Sequence, residues 1–360
     1  MNINVNGMIK KLNMMKDNKE RYQLYQTFLY SLSFLEHIDL LNEDKINSLI
    51  DETIDTDKID DRMLFLQYDN LSDIQNNISK INGLYRPILK NASNYPIYSH
   101  YYPTISEKEA LSYAGKFFKM IGQDVYNLYK NLIENDLVYQ KSSYDKGGTC
   151  GYLYNGLSSI ILRMNVSNIY KAIALVHEMG HAYDNYINQT ADYKRCHQIN
   201  CEVTSMTFEQ LFIYFLEQNN LLDKENASSC QRNYITNYLL IMNGAYFVNQ
   251  LLTNSEMNGK DILTLDEKDI EKYSILHSNS AYEYLSDTKF NDNYYGIGLI
   301  FSSIFKEHFA KNPSEAIKEI KELSILSQNM KTAEILNYYS KTDLINATNK
   351  NVSKTLKKVK

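Results

Sequence analysis

The chain has 360 residues, with 38 basic against 43 acidic side chains and a formal net charge of −5. Hydrophobic residues make up 44% and charged residues 22%, a globular composition that excludes a disordered or collagen-like chain. With 4 Pro and 13 Gly there is little turn punctuation, which disfavours an all-β sandwich and points to a mainly α chain. The charge gives no reason to expect nucleic acid or acidic membranes as partners.

The first residues, MNINVNGMIKKLNMMKDNKERY, lack an apolar run long enough for a signal peptide, and no stretch of 18 apolar residues suggests a membrane span. Cys150, Cys196, Cys201 and Cys230 are too scattered for a disulfide scaffold. The expectation is a soluble, cytoplasmic protein. One oddity is aromatic: 31 Tyr and 13 Phe, but no Trp.

In chain order, residues 8 to about 85 read as short helical segments, such as Tyr22 to Leu35, where Leu24, Phe28, Leu29, Leu32 and Leu35 recur at helical spacing. Pro87, Pro96 and Pro103 then fall in a Tyr-rich stretch that reads as a boundary or irregular crossing, with a long loop inside one domain as the alternative. Ser106 and Glu109 form a capping box that starts a helix. Beyond it, Gly147-Gly148 and Gly156 flank two β-prone runs, TCGYLY and SSIILRMN, which read as neighbouring strands. Helix dominates from Ser167 onward. Pro313 follows Asn312 at a first helical position, where its missing donor does no harm. The basic end KTLKKVK reads as a solvated helix face.

The segment that carries chemistry is IYKAIALVHEMGHAYDNY. His177 and His181, at i and i+4, share one helix face and can hold one metal ion together. Glu178 sits beside His177, directed to the open side of the metal, where a water would be polarised. Imidazole pairs with one carboxylate suit Zn²⁺. Two surface histidines on an ordinary helix are the plain alternative, but ALV just before the motif sets this helix into a core, and Gly180 leaves room for a neighbouring backbone.

The third ligand is sought in NCEVTSMTFEQLFIYFLEQ, a second helical pattern. Glu202 and Glu209 lie two turns apart on one face. Glu202 is the preferred ligand, with Glu209 accepting the free ring N–H of a ligand histidine. For each, a solvent-facing charge is the alternative. Asp184 competes as a ligand, although it shares the helix of the histidines. Cys196, His197 and Cys201 lack a fourth spaced ligand, and small buried hydrophobes explain the cysteines better than a second metal.

HEMGH followed by EVTSMTFE resembles the signature of the thimet oligopeptidase and oligoendopeptidase F family of zinc metallopeptidases, which are neurolysin-like and of the gluzincin type. GGTCGYLY and SIILRMN are similar to the family's Gly-rich turn and edge strand. FNDNYYGIGL is similar to its tyrosine-rich substrate segment, and TAEILNYYSKTDL to its closing helices.

The resemblance covers roughly residues 90 to 350. It implies a mainly α, zincin-like fold with a small β-sheet next to the HExxH helix. It divides the chain into an abbreviated helical region, 1–90, and a catalytic domain, 91–360. One Zn²⁺ would be held by His177, His181 and Glu202, with Glu178 as general base. Tyr294 and Tyr295 would line the site, a phenol bonding the developing oxyanion. The strand of Cys150, Gly151 and Tyr152 would bind substrate by its edge.

Leu285, Phe290 and Ile297 depart from the family pattern; either Tyr282 or Tyr284 fills in, or oxyanion stabilisation is weaker. The implied activity is endopeptidase cleavage of short or unstructured peptides, in a cleft more open than usual because family members carry a longer N-terminal wall. A weakened peptide-binding protein of the same fold and an HExxH aminopeptidase are the rival readings.

Overall fold

The computed structural model describes residues 5–14, isolated positions between 25 and 36, and residues 73–96, 101–141, 147–153, 157–163, 169–188, 199–252 and 292–357. The elements in chain order begin with helices α1 (Val5–Met14), α2 (Ile78–Ala92), α3 (Glu107–Ile121) and α4 (Gln123–Glu134). Three strands follow, β1 (Val138–Lys141), β2 (Gly147–Tyr152) and β3 (Ser158–Arg163). Then come α5 (Ile169–Asn188), α6 (Val203–Gln218), α7 (Lys224–Leu252) and α8 (Asp292–Lys311). The chain closes with α9 (Pro313–Leu326), α10 (Thr332–Leu336) and α11 (Lys341–Leu356). The fold is therefore mainly α with one small sheet. It divides into two compact units, Met1–Gln67 with Tyr102–His197, and Tyr68–Tyr101 with Gln198–Lys360.

In the first unit the strands lie in the order β1-β3-β2. Tyr139 of β1 faces Ile161 of β3 in a parallel pair, and Thr149 of β2 faces the same Ile161 in an antiparallel one. The central strand is apolar, and Ile160, Ile161 and Leu162 are buried, as expected for a strand covered on both faces. TCGYLY and SSIILRMN are neighbours as expected. β1 was not anticipated, because VYQK directly follows a helical pattern. Asp136, with φ 54°, ends α4 in the left-handed region, and Leu137 N–H bonds back to Leu132 O at 2.8 Å. A short acidic side chain tolerates that conformation, and the turn redirects the chain into β1.

α5 packs across β2 and β3, with α3 and α4 against it. It is buried along most of its length, with Ala172, Ile173, Leu175, Val176 and Met179 inside together with the polar Glu178, Asp184 and Asn185, so it is a core helix. α3 starts at the expected capping box: Glu109 N–H donates to Ser106 Oγ at 3.2 Å, and Ser106 N–H donates to Glu109 Oε2 at 2.8 Å. Replacing Ser106 with Ala should lower stability by about 1 kcal/mol in denaturant titration, with the slope of the transition unchanged.

In the second unit α8 is the axis, packed along α6 and also against α7, α9 and α11. Its residues Ile297, Leu299, Ile300 and Phe301 are fully buried. α2 lies against α7 and α11. Pro87 falls inside α2 rather than ending it. Proline removes the donor that would serve the carbonyl of Gly83, four residues earlier, and the buried face of Ile81, Leu84, Tyr85 and Ile88 carries the helix through it. Asn312 caps α9, its side chain accepting from Glu315 N–H, with Pro313 at the first helical position as expected. α11 buries Leu344, Val352 and Leu356 while Lys354 and Lys357 stay exposed, and the last three residues of the basic end, 358–360, lie outside the described residues. Among the described residues no helix is long and apolar enough to cross a membrane.

Candidate metal centre

His177 and His181 project from the same side of α5, their rings 5.1 Å apart at 75°. The one-turn spacing of the motif dictates this pairing. Both rings are partly accessible, whereas Glu178 between them is only 6% exposed. Its burial has a specific partner in β2. A Cβ placed on Gly148 would overlap Glu178 Oε1 and lie 2.5 Å from its Cγ and 2.8 Å from its Cδ. The carboxylate therefore lies against bare backbone, and glycine is the residue that lets it lie there. At neighbouring Gly147 a Cβ would meet nothing within 4 Å. The Gly-Gly pair marked a strand boundary in the sequence, but only Gly148 has this contact.

Cys150, Gly151 and Tyr152 lie on β2, whose one partner among the described residues is β3, so β2 is an edge strand. Cys150 is a buried free thiol, and Tyr152 is half-buried, with burial raising the pKa of its phenol. Asp184, the competing ligand, is 1% exposed on α5.

In the second unit Glu202 immediately precedes α6 and is nearly buried. Ser205 Oγ donates to its Oε2 at 2.8 Å, which fixes the carboxylate. α8 comes close at this point because it carries glycine: a Cβ on Gly298 would overlap Met206 Sδ and stand 3.1 Å from Glu202 O. Two turns along, Glu209 is also buried, and Tyr238 OH of α7 donates to its Oε2 at 2.7 Å. Burial, and then the charge of Glu209, hold the Tyr238 phenol well above its usual pKa.

Tyr294 and Tyr295 open α8; Tyr294 is buried, and Tyr295 stacks on the Tyr238 ring at 6.0 Å and 16°. Before them Asn293 exchanges amide hydrogen bonds with Asn249, at 2.9 and 3.1 Å, and its carbonyl accepts from Tyr85 OH at 2.9 Å. Gly296 leaves the space that the Tyr85 phenol fills.

Tyr85, Tyr238, Asn249, Gly148 and Gly298 were not assigned roles from sequence. The glycines within GGTCGYLY and GIGL were the one local signal. Ile297, a departure from the family pattern, is a fully buried core residue. Leu285, Phe290, Tyr282 and Tyr284 lie outside the described residues, as do Cys196 and His197; Cys201 and Cys230 are buried free thiols. Burial pushes the Cys230 thiol up to about 12, which makes it inert.

No family model matches the sequence, and no curated protein matches it significantly. Solved structures do match. A protein from Bacillus anthracis str. Ames described as an oligoendopeptidase F aligns over 98% of this chain and 69% of its own, with a TM-score of 0.51 and 14% identity. PZ peptidase A, solved with an inhibitor, aligns over 97% and 70%, with a TM-score of 0.54 and 16% identity. The chain has the oligoendopeptidase F fold. A further structure described as an oligoendopeptidase F aligns over 98% of this chain and 66% of its own, with a TM-score of 0.51 at 13% identity. At these identities the fold is what is shared, and the chain spans about two thirds of the length of those structures.

Proposed function

We propose that this chain is a zinc-dependent endopeptidase of the oligoendopeptidase F type that hydrolyses short or unstructured peptides, with Glu178 as its general base. The observation that carries the reading is the donor set: the candidate ligand atoms of His177, His181 and Glu202 all lie within 4.8 Å of one another. Two imidazoles and one carboxylate suit Zn²⁺ and leave a coordination position open. Ser205 holds one oxygen of Glu202, so this carboxylate enters the centre pre-oriented. The chemistry the ion supplies when bound is acidification of a water and polarisation of the scissile carbonyl.

The side chains do the rest. Glu178, kept in place by the glycine backbone beneath it, takes the water's proton as attack begins and returns it to the leaving amine. Glu209 accepts the free ring N–H of a ligand histidine, which fixes the ring and raises its basicity. Tyr294 or Tyr295 donates to the oxyanion. An extended peptide pairs with the open edge of β2 through Cys150, Gly151 and Tyr152, which gives affinity without strict sequence choice.

Metal analysis of the purified chain together with cleavage of a mixed peptide pool tests this. One equivalent of zinc, chelator-sensitive cleavage at internal bonds, and equal rates on free and N-acetylated peptides are expected. Cleavage that needs a free α-amine would make the chain an aminopeptidase. Stoichiometric zinc with no cleavage would make it a peptide-binding protein.

A further inference from the structure

We infer that Gly298 is a positioning residue for the metal centre, because it sets where α8 stops against Glu202. The inference rests on the zinc reading above, which makes Glu202 a ligand, and adds the surface on which that ligand leans.

Glu202 stands at the cap position of α6, where its carbonyl opens the helix by accepting from Met206 N–H at 3.0 Å. Its carboxylate makes no capping hydrogen bond. The Ser205 hydroxyl instead reaches both its Oε2, at 2.8 Å, and its carbonyl oxygen, at 3.1 Å. Ser205 is fully buried, so the ligand is held from within α6. From α8 the same residue is held by shape. A Cβ on Gly298 would stand 3.1 Å from Glu202 O and 3.3 Å from Glu202 Cβ, and would overlap Met206 Sδ.

The helices cannot part to make room. Tyr234 OH of α7 donates to Met206 O at 3.1 Å and shares a 2.8 Å hydrogen bond with Ser302 Oγ of α8, which ties α6 to α8 one turn beyond Gly298. Ile297 and Leu299, on either side of Gly298, are fully buried, as is Met206. A methyl at position 298 is therefore absorbed by the flexible Met206 thioether and by Glu202, whose backbone opens α6. Carbon atoms in contact rest at about 3.5–4.0 Å, so Glu202 gives way by a few tenths of an ångström. Metal–ligand distances hold to within about 0.2 Å, so a shift that side-chain packing absorbs is large for a ligand.

The test is Gly298→Ala, read by zinc affinity in competition with a chromophoric chelator and by the visible spectrum of the Co²⁺-loaded chain. About tenfold weaker zinc and an altered cobalt spectrum are expected, as for other groups that orient metal ligands. The double variant G298A/M206A removes the thioether contact and keeps the contact with Glu202. It should bind zinc as weakly as Gly298→Ala, while Met206→Ala alone keeps wild-type affinity. Zinc weakened as much by Met206→Ala alone, or restored in the double variant, would assign the effect to the thioether and overturn the inference.

A Gly298→Ala chain that melts earlier but keeps wild-type zinc affinity and cobalt spectrum also overturns it and leaves Gly298 a packing role. If Gly298→Ala does not fold, G298A/M206A set against Met206→Ala decides alone: equal zinc affinity in those two overturns the inference. Zinc bound equally tightly by wild type and by Glu202→Gln removes Glu202 from the centre and leaves Gly298 nothing to position. A wild-type chain that takes up no zinc fails one step earlier, overturning the metal reading and this inference with it.

Discussion

Glu178→Gln should leave one zinc bound and lower kcat by about 10²–10⁴-fold, the range in which a positioned general base contributes. Glutamine has the shape of glutamate, so it fits the same slot against Gly148 and leaves the histidine pair undisturbed. It cannot accept the water's proton. It also removes a negative charge from a side chain that is only 6% exposed, so the melting temperature should hold or rise. Hydrolysis of a quenched fluorescent peptide, metal content and a thermal melt, taken on the same preparation, separate these effects. A variant with full zinc and undiminished hydrolysis would remove Glu178 from the reaction and with it the proposed mechanism. A variant that loses both zinc and activity would mean that Glu178 helps to build the site.

The features legible in the sequence are those set by short-range geometry. His177 and His181 pair because four residues make about one helical turn, and the apolar ALV before them sets that helix into a core. Glu202 and Glu209 were expected on one helix face, but Glu202 stands immediately before α6 and only Glu209 lies within it. The capping box at Ser106 and the cap and proline at Asn312-Pro313 depend on three-residue spacings and appear as expected. The features that were not legible depend on contacts between segments far apart in the chain. Nothing local to Tyr238 indicates that its hydroxyl will reach Glu209. Nothing local to Gly298 indicates that Met206 will fill the space over it. β1 is hidden because a four-residue strand carries too little alternation to stand out after a helix. Pro87 misleads because the buried face of Ile81, Leu84, Tyr85 and Ile88 carries the helix through a residue that costs it one hydrogen bond.

The tyrosine excess follows the same logic. Tyr85, Tyr183, Tyr234 and Tyr238 each place a ring in the core and send the hydroxyl to a partner: Asn293 O, Asp124, Met206 O and Glu209 respectively. A phenol buries nearly as much surface as phenylalanine and brings a directional donor. In a chain without tryptophan these side chains supply both bulk and orientation. Three of the four bond to α6 or to the start of α8, the segments that carry Glu202, Glu209, Tyr294 and Tyr295.

Gly148→Ala should cost about 10²-fold or more in kcat/KM, while Gly147→Ala, one residue away, should be silent. The added methyl at position 148 meets Oε1, Cγ and Cδ of Glu178, all of them side-chain atoms and none of them backbone. The strand need not move, because the glutamate can rotate away. That rotation carries the carboxylate off its post by an ångström or more, a displacement that typically costs two orders of magnitude in rate. Stability should change by less than about 1 kcal/mol, since an alanine in extended backbone also restricts the unfolded chain.

At position 147 the methyl points into open space, so every other consequence of putting alanine in this strand is shared and only the contact with Glu178 differs. Zinc affinity should be equal in the two variants, because neither touches His177, His181 or Glu202. Equal activity in the two would show that Glu178 finds its working position without Gly148. Loss of zinc in Gly148→Ala alone would show that the strand and the histidine pair move together.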